Sequence, residues 1–299
     1  MVDVIGGYRF SLIDKSVRGA SHERSGKPNQ DSFKICREEN VLMLSVADGH
    51  GSDSCPYSKS GSLIAVNVFC KIISEYCRKY SGDWYTLNRI LGDEGEASIA
   101  RAVDNEWKRR IEKSYTRRLS RFLSSESRLV PGKDNEQMWK LFGTTLLGLV
   151  ITPAFVFAYQ LGDGDIVLAS ETTTEHIITE DKLLGTETYS LSRVDSWAKA
   201  KTVVFPPADA KKSCAYILST DGFSNSYRDE QSFLNTGLDY FRTLEEYGAD
   251  AVQLSMKAWL DETSSQGSGD DITVLIAYCQ GKQTHGKRLF VSPRICNCF

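Results

Sequence analysis

Apolar runs that end on an aspartate and a glycine recur along the chain. Val41-Leu42-Met43-Leu44-Ser45-Val46-Ala47 stops at Asp48-Gly49-His50-Gly51, as a buried strand opening into a tight loop does. Ala215-Tyr216-Ile217-Leu218-Ser219-Thr220 runs into Asp221-Gly222 in the same way, and Gly267-Ser268-Gly269-Asp270-Asp271 launches a last strand over 272–278. Between these lie two β-type runs, 143–150 and 155–161, separated by a turn at Thr152-Pro153-Ala154; the pattern predicts a hairpin. Gly162-Asp163-Gly164-Asp165 interrupts it, and a further strand resumes over 166–170.

Helical periodicity appears in three places. Leu63, Val66, Phe69, Ile73, Tyr76 and Tyr80 share one face; Ile99, Val103, Trp107, Ile111, Tyr115, Leu119 and Phe122 share another. A Gly/Asp-rich link over 81–95 is expected to join these two helices, and a third helix is expected over 250–260. The stretch 171–212 is polar, Thr-rich and weakly patterned, which predicts a flap over the sheet region. Strands in two groups with long helices between them predict an α+β fold, with sheets packed together and helices outside. One domain over 1–280 and a polar, basic tail over 281–299 are the expected organisation.

Composition narrows the partners. With 36 basic and 39 acidic residues the formal charge is −3, and no basic stripe interleaved with aromatics offers a track for nucleic acid. No apolar run reaches membrane-spanning length, and the first residues lack a basic region followed by an apolar one; the cytoplasm is the expected location. Eight cysteines show neither CxxC pairs nor a secreted-domain framework, so inert thiols are expected.

Asp48, Asp221 and Asp270 each sit where an apolar strand meets a glycine-containing loop, so sheet pairing can gather them at one edge. Converging carboxylates repel unless a cation neutralises them. An all-oxygen set prefers hard ions such as Mg²⁺ or Mn²⁺ and argues against structural zinc. Any one Asp-Gly pair is also ordinary turn chemistry; the weight lies in the ordered set.

That set resembles the type 2C, metal-dependent protein serine/threonine phosphatase family, in a bacterial-type branch. The residues that carry the resemblance are Asn29-Gln30-Asp31, Asp48-Gly49-His50-Gly51, Gly143-Thr144-Thr145-Leu146, Leu161-Gly162-Asp163, Ser219-Thr220-Asp221-Gly222 and Asp270-Asp271-Ile272-Thr273-Val274. The resemblance implies a central antiparallel β-sandwich flanked by helix pairs. It also implies a metal-activated water that hydrolyses phosphoserine and phosphothreonine monoesters. Asp48 would bridge two metal ions, the Gly49 carbonyl would bind one, and Asp221 and Asp270 would complete the first site. Asp31 would hold metal-bound water, Asp163 would help bind a weaker third ion, and His50 would protonate the leaving oxygen. Phosphorylated proteins made by a serine/threonine kinase are the implied partners.

Several positions depart from the family pattern. Gly26 stands where the family places a phosphate-binding arginine; Arg24 is the nearest replacement, with Arg18 and His22 as alternatives. Asn225 replaces an acid four residues beyond Asp221, Gly164-Asp165 follows Asp163 in place of Ser-Arg, and Asp271 stands where asparagine is common. Two other functions fit the same fold: a catalytically inactive phosphoprotein-binding scaffold, which would retain the fold and lose ligands, and a metal-dependent phosphodiesterase using the same carboxylates.

Overall fold

Two antiparallel sheets account for the apolar runs. The structure is a computed structural model and describes residues 2–119, 129–130, 132–179, 188–207, 209 and 212–281. Numbered in chain order, one sheet contains β1 (Val2–Ile5), β2 (Tyr8–Val17), β7 (Asp165–Ser170), β8 (Thr174–His176), β10 (Cys214–Ser219) and β11 (Ile272–Gln280). The other contains β3 (Ser32–Glu38), β4 (Val41–Ala47), β5 (Leu146–Ile151), β6 (Val156–Leu161) and β9 (Lys201–Phe205). Their orders are β1-β2-β11-β10-β7-β8 and β3-β4-β5-β6-β9.

The sheets pack face to face, and helices cover both outer faces. Leu42, Leu44 and Val46 of β4 meet Leu218, Leu275 and Ala277 of the opposite sheet in one buried layer. Met43 and Ala47 face the other way, onto α2 (Ser58–Lys79) and α3 (Trp84–Ser114). β4 is therefore buried on both faces, which is why its sequence reads as an unbroken apolar run rather than an alternation. On the far side, Ile13, Ile217 and Ile276 pack against Tyr240, Leu244 and Met256 of α6 (Glu230–Gln266). Three short helices complete the set: α1 (Ala20–Ser25), α4 (Asn135–Lys140) and α5 (Asp221–Ser224). This is the four-layer α+β sandwich expected from the sequence.

Three local readings are corrected. The Gly/Asp-rich link over 81–95 is mostly helix, because α3 already begins at Trp84, where the Asp83 side chain accepts from the Thr86 N–H at 3.0 Å. Leu87 and Leu91 continue its buried stripe toward Ile99, and Gly95 lets the helix approach Thr202, whose Oγ1 would lie 3.0 Å from an added Cβ. The helix expected over 250–260 is the second half of α6, which runs from Glu230 and bends at Gly248, where φ is 80°. The stretch 171–212 carries two strands, with β8 pairing β7 and β9 pairing β6 at the sheets' edges; 180–187, 208, 210 and 211 lie outside the described residues.

α3 ends in a π-helical turn, Tyr115–Leu119. The expected continuation to Phe122, part of the polar stretch after it, and the tail beyond 281 lie outside the described residues. Six of the cysteines are described; all are free, and five of these are buried. No described helix is long and apolar enough to cross a membrane.

Candidate metal centre

Each sequence-singled aspartate hangs from the end of a strand, and the two sheets deliver them to one place. Asp48 follows β4, and the start of the β5 segment fixes its backbone. Its N–H donates to Thr145 Oγ1 at 3.0 Å, and its carbonyl accepts from Thr144 Oγ1 at 2.6 Å and the Thr145 N–H at 2.9 Å. Gly49 then bridges to Thr144 as an isolated β-pair. A Cβ on Gly49 would sit 2.8 Å from the Gln30 carbonyl oxygen, so this position has no room for a side chain. Asp221 follows β10 across the sandwich, and Asp270 precedes β11 beside it.

The carboxyls face one another. Asp48 contacts the carboxyls of both Asp31 and Asp221 and feels the charge of Asp270. Asp31 is 2% exposed; its Oδ2 accepts from Thr220 and Thr273 hydroxyls, both at 2.8 Å, while its Oδ1 has no donor among the described residues. Burial, then the neighbouring Asp271 charge, pushes Asp31 up to about 7. Asp221 is likewise raised to about 7, by burial and then by Asp163 and Asp270. Asp48 is held well above the carboxylate range by burial and then by Asp31, Asp221 and Asp270. No lysine or arginine among the described residues forms an ion pair with Asp31, Asp48, Asp163 or Asp221. A crowd of acids that burial and mutual repulsion keep from ionising is what a divalent cation relieves. The all-oxygen donor set fits a hard ion.

Asp163, on the turn after β6, completes the cluster's edge. Its Oδ2 accepts from Thr188 Oγ1 at 2.5 Å, and its charge reaches both Asp221 and His50. His50 is largely buried; its ring would lie 2.4 Å from a Cβ added to Gly143, whose carbonyl accepts the His50 N–H at 3.2 Å. Burial lowers the His50 pKa, and Asp163 opposes that shift.

The fold thus gathers Asp31, Asp48, Asp163, Asp221, Asp270 and His50. Arg24 is different: it lies exposed on α1 and makes no hydrogen bond or ion pair among the described residues. Sequence reading gave no role to Asp271, which proves to be buried, 3% exposed, with both oxygens occupied. Oδ1 accepts the Gly19 N–H at 2.7 Å and Oδ2 the Gln30 N–H at 2.6 Å. An asparagine there would offer one acceptor where two backbone donors converge. Lys59, also not anticipated, donates to the Asp31 carbonyl at 2.5 Å.

A family model described as Protein phosphatase 2C matches residues 18–262. The chain belongs to the protein phosphatase 2C family. Solved phosphatase 2C-like folds agree with this. A bacterial serine phosphatase superposes with a TM-score of 0.59 at 12% identity, covering 92% of this chain and all of that one. The catalytic domain of the serine/threonine phosphatase PstP, in complex with two manganese ions, gives a TM-score of 0.54 at 15% identity, covering 90% and 98%. PppA of Pseudomonas aeruginosa gives 0.56 at 15%, covering 93% and 99%. No curated protein matches the chain by sequence. At these identities the structures speak for the phosphatase 2C fold, and the chemistry must come from this chain's own residues.

Proposed function

We propose that this phosphatase 2C chain is an active, metal-dependent phosphoprotein phosphatase. It would hydrolyse phosphoserine and phosphothreonine monoesters in the cytoplasm and so oppose a serine/threonine kinase. The observation that carries this reading is the buried carboxyl cluster built from both sheets, in which Asp31, Asp48, Asp163 and Asp221 have no ion pair with a lysine or arginine among the described residues. Asp48, Asp221, Asp270 and the Gly49 carbonyl would hold two Mg²⁺ or Mn²⁺ ions, and Asp163 would help hold a weaker third. Bound there, the ions would offset carboxylate and phosphate charge and lower the pKa of a water to near neutrality. An inactive scaffold would have no use for this complete set.

The chain's own groups do the rest. Asp31 Oδ1, buried and without a donor among the described residues, is the acceptor that orients the attacking water. His50 gives its proton to the departing serine or threonine oxygen, a contribution of about 10²–10⁴-fold. Arg24, exposed on α1, would be the guanidinium that clamps the phosphate.

Turnover of a phosphothreonine peptide by the intact protein, with Mn²⁺ and with chelator, tests the proposal beside a phosphodiester substrate. Metal-dependent monoester hydrolysis, lost in Asp48→Asn with the fold retained, is expected. Metal binding without turnover would favour the scaffold, and preference for the diester would favour a phosphodiesterase.

A further inference from the structure

The segment from Gly19 to Gln30 leaves the β2 strand and returns to the cluster, and it is welded to the turn that carries Asp270. Ala20 N–H donates to Ser264 Oγ at 3.1 Å, and Ser264 Oγ donates to the Asp270 carbonyl at 2.9 Å. The Ser21 N–H and hydroxyl both reach the Gly269 carbonyl, at 2.8 and 2.6 Å. Asp271 accepts from both ends of the segment, Gly19 and Gln30. α1 is therefore fixed relative to the metal-site turn, and one of its side chains faces inward.

That side chain is His22, only 14% exposed. Its Nδ1 lies 3.0 Å from Asp271 Oδ2 and its Nε2 lies 3.6 Å from Asp270 Oδ1. Asp271 cannot turn, because two backbone donors already hold its oxygens; the imidazole lies against it with its Nδ1 buried and making no hydrogen bond among the described residues. Asp270 is the opposite case. Its carboxylate is 50% exposed, and its one hydrogen bond among the described residues is from the Asp271 N–H, at 2.8 Å. A half-exposed carboxylate with one anchor loses rotamer freedom when it binds an ion. The Nε2 contact lies a few tenths of an ångström beyond hydrogen-bond reach, about 3.2 Å at most for N–H···O, a gap that a small rotation of Asp270 closes.

We propose that His22 is a positioning residue: lying between Asp271 and Asp270, it turns its Nε2 to the Asp270 carboxylate and holds that carboxylate in the orientation that binds metal. This rests on the assignment of Asp270 as a metal ligand. It gives the acid at 271, where the family commonly has asparagine, a purpose beyond its two backbone contacts. It also separates His22 from phosphate binding, the other role open to it from the sequence. Partners of this kind, one bond removed from the ion, are worth about 10–100-fold in metal affinity.

Calorimetric titration of Mn²⁺ into the metal-free intact protein tests it, with wild type, Asp270→Ala, His22→Asn and His22→Gln compared. The asparagine amide can reach Asp271 but not Asp270; the glutamine amide extends as far as Nε2. His22→Asn should weaken the Asp270-dependent binding event by about 10–100-fold while KM for a phosphothreonine peptide at saturating Mn²⁺ stays put. His22→Gln should recover part of the loss. Unchanged metal affinity in His22→Asn would overturn the inference while leaving the wild-type metal site standing, as would a raised KM with metal affinity intact. A directly bound nitrogen in the spin-echo spectrum of the Mn²⁺-loaded protein would overturn it too, by making the imidazole a ligand. Absence of any metal binding by wild type would instead take down the proposed function on which the inference rests.

Discussion

Asn225 Nδ2 donates to Asp221 Oδ2 at 2.9 Å, so the residue that departs from the family pattern faces the carboxyl cluster. The amide satisfies an oxygen that a carboxylate at 225 would repel, and it supplies a dipole where the family commonly has a charge. Asn225→Asp should therefore strengthen the weakest Mn²⁺ binding event and shift the metal dependence of kcat to lower concentration. Calorimetry beside Asp163→Ala checks this: an unchanged weak event in Asn225→Asp, with loss in Asp163→Ala, would remove residue 225 from the third site.

His50 separates substrates by leaving group. His50→Gln should slow phosphothreonine hydrolysis by about 10²-fold or more while affecting p-nitrophenyl phosphate little, because nitrophenolate leaves without a proton. Steady-state kinetics on both substrates decide it, and equal losses would make His50 a structural residue packed on Gly143.

Arg24→Ala should mainly raise KM for the peptide. Arg24→Lys should restore only part of it, since an ammonium cannot reproduce a two-pronged contact. An Arg18→Ala variant with the larger KM defect would transfer the role to Arg18, whose Nη2 is already committed to the His22 carbonyl at 2.7 Å.

Without metal, the cluster should make stability depend on pH. Asp31 and Asp221 have native pKa values of about 7 against an ordinary 3.8, burial being the main cause. Between those values the native state binds protons that the unfolded chain has released, so stability is greatest at the acidic end and is lost as pH rises toward and through 7. Urea unfolding in chelator should show the midpoint falling from pH 5 to pH 8, and Mn²⁺ at pH 8 should restore it. A midpoint that rises with pH in chelator would contradict the burial of these carboxyls.

A second stability test lies away from the carboxyl cluster. Lys108 and Asp104 form a buried ion pair at 2.8 Å on α3, and Lys108 also donates to the Val194 carbonyl at 2.6 Å. Lys108→Met leaves Asp104 charged and buried and should cost about 3–5 kcal/mol. Replacing both, Lys108→Met with Asp104→Leu, should recover much of that in thermal or urea unfolding.

Legibility followed burial. β4, β5, β6, β10 and β11 are buried on both faces and show as apolar runs, and the acids at their ends show with them. β2 does not show as an apolar run because its buried positions are divided between two layers. Phe10 and Leu12 face the opposite sheet and Ile13 and Val17 face α6, with Arg9, Asp14 and Lys15 interspersed. The first half of α6 lies outside the helix expected over 250–260, although Phe233, Gly237, Tyr240, Phe241 and Leu244 repeat at helical spacing. At the site, the aspartate-bearing loops are readable because Asp-Gly after a strand is a local signal. The contact from Asp271 to Gly19 spans 252 residues and has none.

The sandwich has one mechanical consequence. Asp48 hangs from one sheet, and Asp221 and Asp270 from the other, so the aliphatic layer of Leu42, Leu44, Leu218 and Leu275 acts as the spacer of a calliper whose jaws are carboxylates. Thinning or thickening that layer would change the spacing between the carboxyl of Asp48 and those of Asp221 and Asp270. Choice between a smaller and a larger divalent cation would then be written in hydrocarbon as much as in aspartate.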